Sequence, residues 1–251
     1  GHALTGPVFV RGAMPGDVLE VRIDRVRPGP WGSTWGGPRQ GFHRAIGIEA
    51  EAVIHWRIDA DAGTATDIGD LGLRIPIRPF MGVMGNCPAG EGDHATGPPR
   101  RVGGNIDCRE LVEGSVLWLP IEVEGALFSM GDGHAAQGDG EISQTAIECP
   151  MEEVTLTFDV RRDLPISSPC AMTPAGFITI GIGETLDGAI PSALGPMLDY
   201  LEREQRLTRA QALILASLVV SVRVTQLVNG TVGIHAILPP NAFDRLPQSQ
   251  R

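Results

Sequence analysis

Val154-Thr155-Leu156-Thr157-Phe158-Asp159-Val160 alternates apolar and polar side chains without a break. Successive side chains of an extended chain point to opposite faces, so this pattern predicts a half-buried strand. The same alternation runs through Leu19-Glu20-Val21-Arg22-Ile23-Asp24. It recurs where Ala52, Ile54, Trp56 and Ile58 interleave with Glu51, Val53, His55 and Arg57. A last strand, Val232 to Leu238, ends at Pro239-Pro240, and turn-dense segments such as 27–41 separate the strands. Helical spacing appears late. Ser192 is expected to cap a helix carrying Leu194, Met197, Leu198 and Leu201. Thr208 and Gln211 form a capping-box pair that opens the apolar stretch Ala212 to Val222. The short gap between them, 202–207 at most, predicts a helical hairpin. Much strand with a late helical pair predicts an α+β fold rather than a doubly wound sheet.

The chain has 251 residues, of which 42% are hydrophobic, and its mean hydropathy is +0.04. That is enough for a sizeable core, in one large domain or two intimately packed ones. No internal repeat or linker interrupts it, so 1–251 is expected to be a single domain. All 20 basic residues are arginine. The absence of lysine excludes a Walker A loop, a Schiff-base lysine, a Ser-Lys nucleophile and pyridoxal attachment. A net charge of −10 makes nucleic acid a poor partner. The longest apolar run is too short to span a bilayer. Four scattered cysteines, with no CxxC, predict reduced and mostly buried thiols in a cytoplasmic protein. The chain opens at Gly1-His2 and its first methionine is Met14, which suggests a processed product or a fragment.

Polar residues spaced by glycines concentrate between Gly92 and Glu148. Asp93-His94 is followed by Gly103-Gly104-Asn105-Ile106-Asp107. A hydrophobic strand then leads to Gly131-Asp132-Gly133-His134-Ala135-Ala136-Gln137-Gly138-Asp139-Gly140-Glu141. Small neighbours let the backbone fold tightly, so several oxygens and an imidazole can converge. Histidine with carboxylates suits Zn²⁺ or another borderline divalent ion. Asp132 and His134 share a side if the segment is extended. A calcium loop fails on spacing, because His134 and Ala136 take the third and fifth EF-hand positions. A metal or catalytic site and an elaborate Asp-Gly turn both account for this loop. Glu148 reads equally as a buried carboxylate or a strand-end charge. Among nucleophiles, there is no GxSxG, Ser167-Ser168 lacks the lysine such sites need, and Cys87 with His94 is the remaining couple.

These segments resemble the acetamidase/formamidase family of amide hydrolases. Thr5-Gly6-Pro7-Val8 with Gly12 to Leu19 resembles its TGP…GAxPGDxL opening. Gly103 to Asp107 matches GGNxD, and Gly131 to Glu141 matches GDxHAxQGDGE, followed by Thr145-Ala146-Ile147-Glu148. The resemblance implies β-rich, sandwich- or barrel-like sheets with a C-terminal helical hairpin. It also implies a bound divalent metal, homo-oligomers, and hydrolysis of small aliphatic amides to acid and ammonia; some relatives open γ-lactams. The family's N-terminal stretch before the TGP strand is absent here, so a cleaved segment retained as a second chain is one expectation. On this resemblance Asp107, Asp132 and His134 are expected to hold the metal, zinc first, with calcium possible at a second site. Glu141 is expected to act as general base, with Asp139 a second catalytic candidate. His94, Gly104, Asn105 and Gln137 are expected to bind or orient the amide. A non-catalytic, metal-stabilised subunit is the alternative.

Overall fold

The computed structural model describes residues 1–244. Among the described residues fifteen strands build three sheets, and every pairing between strands is antiparallel. The largest has seven strands, ordered β11 (Met151–Arg161), β2 (Val18–Pro28), β9 (Val116–Pro120), β12 (Cys170–Thr173), β13 (Gly176–Gly183), β15 (Val232–Leu238) and β14 (Ser221–Gln226). A four-stranded sheet is ordered β1 (Leu4–Val8), β10 (Phe128–His134), β7 (Phe80–Gly85), β8 (Gly103–Asn105). The third comprises β3 (Trp31–Gly36), β4 (Ala52–Asp59), β5 (Thr64–Asp67) and β6 (Arg74–Pro76). A single-turn helix, α1 (Gly41–Ala45), links β3 to β4.

Period-two alternation divides the large sheet between two cores. From β2, β9, β13 and β15, Leu19, Val21, Ile23, Leu117, Leu119, Ile178, Ile180 and Ile237 face Met81, Met84 and Phe128 of the β1-containing sheet. Removing each such side chain from water contributes roughly 1.5–3 kcal/mol. The intervening residues of β13 and β15 face the opposite way. Phe177, Ile234, Ala236 and Leu238 pack under the helices α2 (Leu186–Gln205) and α3 (Arg209–Val219). Gly181 makes that contact tight: a Cβ there would lie 2.4 Å from the carbonyl of Ala189 and the amide of Ala193. The result is a sandwich with a helical layer on part of its outer face, the α+β arrangement expected.

The predicted strands at 19–24, 51–58, 154–160 and 232–238 all form, as β2, β4, β11 and β15. The helix expected to start at Ser192 starts instead at Leu186, capped by Thr185, whose Oγ1 accepts from the Gly188 amide at 3.1 Å. Pro191 reads as a barrier, since an interior proline removes a helix hydrogen bond. Here the buried row Ala189, Ala193, Met197 and Leu201 against β13 carries the helix through Pro191 and Pro196. The Thr208–Gln211 capping box forms. Its apolar stretch, however, splits: α3 stops at Val219 and β14 begins at Ser221. β-Branched Val222 and Val224 pair with Ala236 and Ile234 there. Among the described residues no helix is long and apolar enough to cross a membrane.

Candidate metal and acid–base site

β10 and β7 pair so that His134 lies opposite Phe80, whose ring meets the imidazole edge to face at 5.1 Å. Two residues earlier Asp132 turns its carboxylate to the same place, with Oδ2 3.3 Å from His134 Nε2. Asp107 arrives from the loop after β8. Its amide and that of Ile106 both donate to the Gly82 carbonyl, at 3.2 and 3.0 Å, which fixes the loop over β7. Glu148 bridges to His134 across the chain, its Oε2 3.2 Å from Nε2 and its Oε1 accepting from the Ala146 amide. Glu141 enters from the 138–144 loop. Asp107, Asp132 and His134 form one group whose donor atoms lie within 4.8 Å, and His134, Glu141 and Glu148 form another.

Asp107, Asp132 and Glu141 all have left-handed backbone, at φ 54°, 61° and 46°. That conformation costs of order 1–3 kcal/mol for a residue with a side chain, and persists only where the surroundings impose it. Asp107, His134 and Glu141 are all buried. Burial and the surrounding acids push the Asp107 carboxyl up to about 7 and that of Glu141 up to about 9. Burial raises Asp132 as well, but contact with His134 outweighs it and holds Asp132 below the usual range. Burial lowers His134, yet Asp132 and Glu148 more than compensate and hold its imidazole well above the ordinary value.

Four acids around one imidazole leave the cluster short of positive charge, and its polar atoms fit a cation better than one another. Asp107 Oδ1, Glu141 Oε2 and both ring nitrogens of His134 are buried without a hydrogen-bond partner. The His134–Asp132 and His134–Glu148 contacts are close but lack hydrogen-bond alignment. The space between them is kept open by Gly82. A Cβ there would lie 2.6 Å from Asp132 Oδ2, 2.7 Å from Asp107 Oδ1 and 2.8 Å from His134 Cε1. Imidazole with carboxylates is a donor set for zinc or another borderline divalent ion.

The charge excess gives the metal-free chain a pH dependence of definite sign. Asp107, Glu141 and His134 bind protons more tightly folded than unfolded, so their contribution is fully present at low pH. It is lost as pH rises through about 7 for Asp107 and about 9 for Glu141. The urea midpoint of chelated protein should therefore fall between pH 6 and pH 9, and a divalent ion should remove most of that fall. A flat profile would mean that the cluster is not assembled without metal.

The acids open into a cleft of about 670 Å³ bordered by Trp35, Arg39, Asn105 and Asn229. Asn105 holds the Gly97 carbonyl through Nδ2 and leaves Oδ1 unpartnered. Gln137 donates to the Asp107 carbonyl at 2.8 Å. It lines a second cleft of about 520 Å³, which Glu141 also borders. Gly104 lies on β8 at φ 102°, beside Asn105. Two expected residues are placed elsewhere. His94 is exposed, with Nε2 on the Gly90 carbonyl at 2.7 Å, and Cys87 Sγ donates to Pro88 rather than to it. Asp139 has its Oδ2 on Arg223, outside both donor groups of the cluster.

Three contributors carried no readable signal in the sequence. Asn229 donates to Asp107 Oδ2 at 2.6 Å, although Asn229-Gly230 reads as a simple turn. His2 borders the cleft, its Nε2 3.9 Å from Asp132. Gly82 sits in an apolar strand and gives no hint of what it faces. One further donor group, Cys108, Glu110 and His235, lies deeper. Its thiol and imidazole do not match the all-oxygen cage of calcium, and Arg223 already places a cation on Glu110 at 2.9 Å.

The family model of the Acetamidase/Formamidase family matches residues 1–94 and 89–245. The chain belongs to that family. A crystal structure of an acetamidase from Bacillus halodurans superposes with a TM-score of 0.86 at 33% identity, covering 94% of this chain and 78% of that one. An acetamidase of Mycolicibacterium smegmatis is 29% identical over 200 residues, 57% of this chain and 49% of the relative. A formamidase of Methylophilus methylotrophus is 49% identical over 91 residues, 32% of this chain and 21% of the relative. The chain thus spans about half, or less, of the curated relatives it matches. Within the acetamidase/formamidase fold of this chain, the acids meet where the β10–β7 pair, the loop after β8 and the turn of the β14–β15 hairpin adjoin.

Proposed function

We propose that this chain hydrolyses the C–N bond of a small, formamide- or acetamide-like carboxamide to carboxylate and ammonia, with a divalent metal, zinc first, held by Asp107, Asp132 and His134. The observation that carries this reading is the open space over Gly82, ringed by those three donors and bordered by Glu141 and Glu148. Its membership among acetamidases and formamidases supports the substrate class. A metal held by Asp107, Asp132 and His134 would polarise the amide carbonyl and make water more acidic.

Glu141 takes the proton of the attacking water as the new C–O bond forms, then gives it to the nitrogen as the C–N bond breaks. That role needs its carboxylate form, which burial disfavours in the metal-free chain and nearby positive charge restores. Asn105, at the cleft wall, offers an amide side chain to the substrate, and backbone amides near Gly104 offer donors to the developing oxyanion. Glu148, tied to the Ala146 amide, holds His134 in place. All four cysteines are free thiols, which supports a reducing, cytoplasmic setting. Exposed Leu213, Ile214 and Leu218 on α3 offer an apolar face for a homo-oligomer.

Elemental analysis of the purified protein, paired with ammonia release from formamide and acetamide, tests the reading. Near-stoichiometric metal is expected, with ammonia release lost on chelation and restored by zinc. Metal-loaded protein that releases ammonia from neither amide would overturn the substrate assignment. Protein never exposed to chelator yet free of metal would overturn the site.

A further inference from the structure

Behind the acid cluster lies a second polar group that the reaction does not touch. Glu110, three residues beyond Asp107, is 1% exposed. Its Oε1 accepts from Arg223 Nη1 at 2.9 Å. Its Oε2 accepts from Cys108 Sγ at 3.7 Å and faces His235 Nε2 at 3.3 Å. His235 is held in turn by Thr225, with Nδ1 and Oγ1 2.7 Å apart. The other edge of the Arg223 guanidinium meets Asp139, two residues before Glu141, through Nε at 2.6 Å and Nη2 at 2.5 Å. Arg223 and His235 are register partners in the β14–β15 pair, so both stand on one rigid hairpin. The same hairpin pins the second loop by its backbone. The Gly140 amide donates to Thr225, and the Leu227 amide to Gly140, each at 3.1 Å.

We infer that Arg223 is a positioning residue, fixing the Asp107 loop through Glu110 and the Glu141 loop through Asp139, so that both acids reach one point. This rests on the reading of Asp107 and Glu141 as site residues. The two loops carry left-handed backbone at Asp107 and Glu141, a conformation that needs external restraint. Both also carry acids that repel each other. A planar guanidinium can bind a carboxylate at each edge at once, whereas an ammonium acts as a point charge. The charges also balance: Glu110 and Asp139 meet Arg223, with Arg109 Nε 4.0 Å from Glu110. That balance argues against a second metal at Cys108, Glu110 and His235, where a dication would add uncompensated charge.

The test uses R223A and R223K, each checked for fold by circular dichroism. Zinc affinity is measured by competition with a chromophoric chelator, and kcat and KM with the preferred amide. Hydrogen exchange is followed at 105–111 and 137–142. R223A should bind zinc about 10–100-fold more weakly and lose kcat while KM changes little. Non-denaturing guanidinium should restore part of kcat in R223A, and R223K should fall between R223A and the parent. Both loops should exchange faster in each variant. A folded R223A with parental zinc affinity, kcat and exchange would overturn the inference; if R223A does not fold, the same result in R223K would. Zinc competition and exchange need no turnover. A parent that releases no ammonia would therefore sink the amidase reading while leaving Arg223 decided.

Discussion

Replacing Glu141 by glutamine should lower turnover on the order of 10²–10⁴-fold, the usual contribution of a positioned general base. Glutamine keeps the shape of the side chain but can neither take a proton from water nor deliver one to the leaving nitrogen. Glu141 is placed for that task by its own loop: its amide donates to Gly138 and its carbonyl accepts from Gln144. It also belongs to a donor group with His134 and Glu148, so it could instead be a ligand. Metal content separates the roles. A slow Glu141→Gln enzyme with parental metal content makes Glu141 the base. Parallel loss of metal and activity makes it a ligand, and unchanged turnover removes it from the reaction.

Alanine at Gly82 should empty the site. The added methyl would lie 2.6–2.8 Å from atoms of Asp132, Asp107 and His134, closer than real Cβ atoms come. Asp107 and His134 cannot simply swing away. Asp107 is held by Asn229 and by two amides on the Gly82 carbonyl, and His134 is packed on Phe80. Overpacking of this kind costs typically about 1–3 kcal/mol, so the protein should still fold. Metal content should drop to near zero and ammonia release with it. Folded Gly82→Ala protein with a full complement of metal would place the ion somewhere other than above β7.

Much of this arrangement was legible because its signals are local. The period-two runs at 19–24 and 154–160 name strands whose apolar face has to be buried, and the Thr208–Gln211 pair names a helix start. The acids of 103–107 and 131–141 advertise themselves by glycine spacing. What stayed hidden depends on distant contacts. Pro191 looks like a helix stop until β13 supplies the surface that holds α2 across it. His94 and Asp139 match their surroundings in type, but one turns to Gly90 and the other to Arg223. Gly82, Asn229 and Arg223 have meaning only once three separate segments meet, and no spacing within one segment encodes that.

The β14–β15 hairpin has a consequence for the timing of synthesis. Asp107 and the Asn229 that holds it are 122 residues apart. At the usual 5–20 residues per second, the ribosome makes the second roughly 6–24 s after the first. Once Glu148 has been added, 41 residues after Asp107, the nascent chain holds all four mutually repelling acids, yet Arg223 and Asn229, which gather them, follow only 75 and 81 residues later. The early domain surface can collapse, but its ion-binding geometry has to wait for the last strands, so an unfinished chain carries the acids without the site.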